Sequence, residues 1–242
     1  MGEAIGWGAV AASSLVIGAV LSFARNWSMS QVGYVLAFGA GALISAVSFE
    51  LAAEGLAIGG AGITGVGLGV GALTYYLLDG LIARRHATGR GRKGRAAGSG
   101  SGNALALGAF LDGIPEQLVL GIGIAAGEGV GVSLLVAIFV SNLPEALGSA
   151  SDMSRAGRSR EAILRLWLLV AAICALASLA GYLLADAVGG DARAAIDGFA
   201  AGALLVMLID SMIPDARNDA GRAAGLVTVL GFAVAAGLSS LS

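Results

Sequence analysis

Charge is what this sequence has least of. Lysine, arginine, aspartate and glutamate make up 12% of its 242 residues, against about a quarter in soluble domains, while 57% are hydrophobic. That imbalance excludes an ordinary water-soluble domain and points to a polytopic membrane protein. The single cysteine, Cys174, lies inside an apolar run, which excludes an intramolecular disulfide and a thiolate metal cluster. The only histidine, His86, falls in a polar loop, so no histidine site is expected at membrane depth, and no serine protease of the intramembrane kind that needs one. There is no Gly-x4-Gly-Lys-Ser/Thr stretch, so coupling to a nucleotide would need a separate subunit. A net charge of -2 carries no sign of a nucleic-acid partner, because the charges are segregated along the chain.

What is abundant is apolar length and glycine. Eight runs of about twenty apolar residues, the length a bilayer requires, can be marked at 4–24, 31–53, 61–83, 104–125, 130–151, 163–185, 195–214 and 223–241. The first lacks a basic flank and a cleavage site, so it reads as a span rather than a signal peptide. The expected fold is all-α: one transmembrane domain over 1–242, with no soluble domain attached. Forty glycines suit helices that approach closely in lipid, which permits a homodimer without demanding one.

Basic residues set the orientation. Arg25, Arg84, Arg85, Arg90, Arg92, Lys93, Arg95, Arg155, Arg158, Arg160, Arg165, Arg217 and Arg222 all follow odd-numbered spans, and only Arg193 lies on the other side. By the positive-inside rule both termini are outside and the odd-numbered loops cytoplasmic, in the cell (inner) membrane. Trp27, Tyr34 and Trp167 then fall near the inner interface and Trp7 near the outer one. Residues 84–103, basic and then Gly/Ser-rich, read as a flexible cytoplasmic loop between spans 3 and 4.

Two similarities run inside the chain. Phe38-Gly-Ala-Gly-Ala-Leu43 in span 2 resembles Phe199-Ala-Ala-Gly-Ala-Leu204 in span 7, a register that sets Glu54 against Asp215. Ile114-Pro-Glu-Gln-Leu118 in span 4 resembles Leu143-Pro-Glu-Ala-Leu147 in span 5. Both pairs insert in opposite directions, the mark of inverted-topology repeats, whose sites lie near the midplane.

Spans 4 and 5 hold the chemistry. A carboxylate at membrane depth costs roughly 3 kcal/mol on insertion scales, so it marks function by default. Here Asp112 and Glu116 share one helix face, four residues apart, and Asn142 and Glu145 share another, three apart. Pro115 and Pro144 each remove a backbone donor and free the carbonyls of Leu111 and Val140. Ser141 and Gln117 could add oxygens. Such an all-oxygen set suits a hard or borderline divalent cation; the three carboxylates could not all stay ionised unpaired, and a dication would neutralise two of them, leaving the third protonated. Glu50 near the outer end of span 2 and Asp210 near the inner end of span 7 would form acidic mouths that concentrate cations, with Glu54 and Asp215 just beyond. An intramembrane aspartyl protease could pair Asp79 with Asp112, but neither sits in a Gly-x-Gly-Asp setting, so no enzyme is expected.

These residues resemble the ZIP (Zrt-, Irt-like) family of divalent metal transporters over nearly the whole chain. The family signature on helix 4, His-Asn-x-Pro-Glu-Gly, corresponds to Asp112-Gly-Ile-Pro-Glu-Gln117. The related helix 5 motif corresponds to Ser141-Asn-Leu-Pro-Glu-Ala146. The resemblance implies eight helices in a 3+2+3 arrangement. Asp112 stands at the histidine ligand, Gly113 at the asparagine, and Glu116 and Glu145 at the two glutamates; the chain is divergent at the metal ligands. Many relatives add an acid on helix 6, and Leu169 to Leu183 here holds none. The resemblance implies uptake of Zn, Mn, Fe, Co or Cd toward the cytoplasm as substrate, with no tightly bound cofactor. The other expectation is a transport-incompetent sensor or assembly subunit that kept the fold.

Overall fold

The computed structural model describes residues 1–24, 27–88, 101–125, 132–185 and 189–240, and within them the side chains at 82–88, 101–112, 133 and 152 lie outside the description. Most of the expected loop at 84–103 is thus outside the described residues. All regular structure among the described residues is helical: α1 (Gly2–Ala24), α2 (Met29–Ala46), a first π-helical segment (Val47–Ala52), α3 (Ala53–Thr88), α4 (Ser101–Ala125), α5 (Val132–Arg155), α6 (Arg160–Ala185), α7 (Gly190–Met207), a second π segment (Leu208–Met212), α8 (Ile213–Ala220) and α9 (Ala223–Ser239). Among the described residues, five stretches are long and apolar enough to cross a membrane: Gly2–Ala24, Met29–Leu81, Leu134–Arg155, Arg160–Ala185 and Gly190–Ala220; Gly113–Ala125 and Ala223–Ser239 are shorter apolar helices. The chain is an all-helical polytopic membrane protein.

Local signals set several boundaries. Ser28 opens α2 with a capping box, its side chain accepting from Gln31 N–H while the Gln31 side chain accepts from Ser28 N–H. The hydroxyls of Ser13, Ser14 and Ser22 donate to carbonyls three residues back, so these polar groups stay satisfied within α1 itself. Pro115 and Pro144 lie inside α4 and α5, and neither ends its helix.

The helix starting at Met29 outruns the expected span 31–53. It continues through the first π segment and α3's first residues until Gly60, whose φ of 70° breaks it. The expected span 195–214 also grows, to Gly190–Ala220, and stops at Gly221 with φ 63°. Each π segment closes with an i→i−5 bond, Ala53 N–H to Ser48 O and Ile213 N–H to Leu208 O. Next to the second one, that wider turn accommodates Pro214, which would clash in a regular α-turn.

Packing divides the helices. α1 lies on α4, α5 and α6; α2 lies on α9 and α3 on α7; α2 also meets α5 and α8. Glycines make the crossings close. A Cβ on Gly121 would meet Ser178 C at 2.8 Å, one on Gly231 would meet Phe38 C at 2.8 Å, and one on Gly71 would meet Phe199 C at 2.7 Å. Trp167 is fully buried in a cluster with Ala12, Ala19, Ala146 and Ala150, where small side chains on α1 and α5 leave room for an indole.

Candidate metal centre

Several candidate side chains beside Pro115 and Pro144 lie in the interior of the helix packing. Glu116 is 1% exposed and Gln117 0%, on α4; Ser141 is 1% and Asn142 2%, on α5, which packs directly against α4. Burying such groups is costly unless something compensates them. Gln117 Nε2 donates to Gly8 O of α1 at 3.3 Å, while Gln117 Oε1 has no hydrogen-bond partner among the described residues. Ser141 Oγ donates back to Ile138 O at 3.0 Å, a bond that leaves its acceptor capacity unused. Asn142 Nδ2 and Glu145 Oε2 are buried and likewise unpartnered among the described residues.

The Asp112 side chain lies outside the described residues. Among the described ones, no three His, Cys, Asp or Glu side chains stand close enough together to hold a metal. A cation held here would need Asp112, or the amide and hydroxyl oxygens of Gln117, Asn142 and Ser141, beside the two glutamates. Glu145 also has a carboxylate neighbour from the other side, Asp215 of α8. The donors such a set would offer are all hard oxygens.

The outlying acids are placed differently. The Glu50 carboxylate, half-buried in the first π segment, lies beside the Leu134 backbone of α5 and the Ser239 side chain of α9. Glu54 forms an ion pair with Arg193 of α7. Asp210 is exposed within the second π segment, and Asp215 and Asp219 are neighbours on α8. Neither Glu50 nor Glu54 is placed beside Glu116 or Asn142 by any contact described.

The turn around the helix 4 motif holds a residue that sequence reasoning passed over. Cys174 of α6 is buried with its thiol free, and a Cβ on Gly113 would lie 2.8 Å from its Sγ. Glu116 is the charged neighbour of the same thiol. The space that an asparagine side chain would take at position 113 is thus filled from α6. The proline-containing turn of α5 is met by α2, where a Cβ on Gly39 would lie 3.1 Å from both Val140 O and Ser141 Cα.

This arrangement of buried oxygens on two proline-bearing membrane helices agrees with a comparison against protein families, in which the ZIP zinc transporter pattern matches residues 83–239. The chain belongs to the ZIP zinc transporter family. No curated protein matches it. The matched range takes in α4 to α9 and so both Pro-Glu motifs. Membership makes the chain a multi-pass protein of a divalent-metal transporter family, and that family is not one of enzymes.

Proposed function

We propose that this ZIP family member moves a divalent cation, zinc or a similar transition metal such as Mn or Fe, into the cytoplasm through a site formed by Asp112, Glu116, Ser141, Asn142 and Glu145. The observation that carries the reading is Glu145 Oε2 of α5, buried and without a hydrogen-bond partner among the described residues, on the helix that packs against the one carrying the buried Glu116. Buried acceptors in native proteins are normally satisfied, and a cation is the simple partner for acceptors that lack a donor. The amide of Asn142 can present either its oxygen or its nitrogen, since the two are interchangeable in placement.

The reading includes eight membrane crossings in an inverted 3+2+3 arrangement, both termini outside. Gly60 divides the stretch Met29–Leu81 into two crossings. One constant offset of 161 residues relates Phe38 to Phe199, Gly41 to Gly202, the start of the first π segment at Val47 to that of the second at Leu208, and the positive-φ Gly60 to Gly221. Transport then proceeds by alternating access, α4 and α5 shifting with α1 and α6 against the α2–α9 and α3–α7 pairs. The membrane potential drives entry by about 2.3 kcal/mol per elementary charge per 100 mV, roughly doubled for a dication.

The test is uptake of Zn, Mn, Fe, Co and Cd by proteoliposomes carrying the intact chain or Glu116→Ala. The reading requires uptake of at least one metal that the variant loses. Flat traces for all five metals in the intact chain would overturn it, and equal uptake in both would remove Glu116 from the mechanism.

A further inference from the structure

Three segments meet at the proline-containing turn of α5, and one of them brings a sulfur. A Cβ on Gly39 of α2 would lie 3.1 Å from Ser141 Cα, from Val140 O and from the methyl carbon (Cε) of Met212. The methyl is therefore no farther from either α5 atom than twice that distance. Val140 O is the carbonyl that Pro144 deprives of its helical donor, and the Ser141 hydroxyl has acceptor capacity to spare. Met212 ends the second π segment and is 2% exposed, so its thioether is held inside the helix packing.

The register along α5 agrees with that placement. Met212 and Asp215 are three residues apart and share a helix face, as Ser141 and Glu145 do four residues apart on α5. Asp215 neighbours Glu145, so Met212 stands at the level of Ser141 and Asp215 at that of Glu145. Packing alone does not call for sulfur at this position. The offset of 161 residues between the two π segments sets Met212 against Leu51, equally buried at 2%, where a plain hydrocarbon of similar volume fills the space. The methionine adds a donor. Its sulfur is bonded to the methyl that stands at the α5 turn, and its unbranched stem lets that sulfur shift along the turn.

We propose that Met212 is a specificity-determining residue of the α4–α5 site: its thioether supplies a soft donor to a cation otherwise held by oxygens, and so favours thiophilic Cd and Zn over hard Mn. The inference rests on the cation site proposed above and deepens it. Carboxylate, hydroxyl, amide and carbonyl oxygens suit hard cations, and a sulfur donor adds most to the softer ones. A side chain that merely filled space would treat all of these metals alike.

The test is calorimetric binding of Cd and of Mn, each alone, to the purified intact chain and to Met212→Leu, a change that keeps the volume. Met212→Leu should weaken Cd binding about fivefold or more while Mn binding stays within about twofold of the parent. X-ray absorption at the Cd edge supplies a second readout, on protein grown with selenomethionine. The intact chain should show a selenium neighbour of Cd, and Met212→Leu should lose it; a sulfur neighbour would instead come from Cys174. An unchanged Cd-to-Mn ratio in Met212→Leu, an equal loss of both metals, or a Cd shell without selenium in the intact chain overturns the proposal. The spectrum of the intact chain decides alone if Met212→Leu fails to fold. Cd held by oxygens only sinks the soft donor and leaves the cation site standing, whereas an intact chain that neither binds nor takes up either metal sinks both.

Discussion

Gly69 and Gly71 stand two residues apart on α3, and alanine at each should have opposite effects. A Cβ on Gly71 would lie 2.7 Å from Phe199 C and 2.8 Å from its Cα, on the backbone of α7, while a Cβ on Gly69 meets nothing within 4 Å. Carbon atoms pack at about 3.5 to 4.0 Å, so Gly71→Ala forces the two helix axes apart by roughly 1 Å. The obstacle is main chain, which cannot swing aside, and overpacking of this kind costs about 1–3 kcal/mol, here toward the upper end. Against that, alanine gains up to about 1 kcal/mol over glycine in a helix interior, a gain that Gly69→Ala keeps whole. The two variants should therefore differ by about 3 kcal/mol. For a chain of this length that is a gap of about 6–12 °C in Tm, with Gly71→Ala below the parent and Gly69→Ala level with it or above. The assay is thermal unfolding of purified protein in one detergent. Equal Tm values would refute the claim that α3 packs on α7 through Gly71. An equal fall in both would refute the open face at Gly69.

Two further outcomes are expected from the packing. Gly113→Asn should destabilise by about 1–3 kcal/mol because its Cβ would lie 2.8 Å from Cys174 Sγ, and adding Cys174→Ala should restore most of the loss; strictly additive Tm shifts would contradict that contact. Glu54→Ala removes the partner of Arg193 in a pair whose side chains are only 31% and 18% exposed, and should cost about 1–3 kcal/mol. A Tm within about 1 °C of the parent would show that the pair contributes nothing.

Hydropathy made the helical membrane architecture legible, because a bilayer imposes a minimum apolar length on any crossing. The polar residues beside the two prolines stood out because acids at membrane depth are costly, and Glu116 and Asn142 are indeed buried. Hydropathy does not distinguish lipid from protein as a neighbour. Leu73 and Leu226 face outward at 58% and 78% exposure, while Leu15 and Leu43, chemically identical, are wholly buried. Trp167 likewise fills a slot between helices, a neighbourhood that its hydropathy does not announce. Helix length past the expected spans 31–53 and 195–214 was hidden too, since the helices run on through the π turns and past Glu54 and Asp215, and the distant Gly60 and Gly221 govern where they stop. The outlying acids were legible as charges but not as partners. Glu50 meets Leu134 and Ser239, and Glu54 meets Arg193, across separations in the chain that no local pattern encodes. Cys174 was visible as a buried thiol, and its position against Gly113 emerged only from how α6 crosses α4.

The central claim is that carboxylates from α4 and α5 hold one cation between them. The direct measurement is calorimetric binding of Zn and Cd to the purified chain, to Glu116→Gln, to Glu145→Gln and to the double variant. One shared ion requires each single change to weaken binding at least about tenfold, and the double change to cost less than the sum by about 0.5–3 kcal/mol, the coupling of side chains with a common partner. Losses that add with no coupling, or binding that survives both changes, would contradict it.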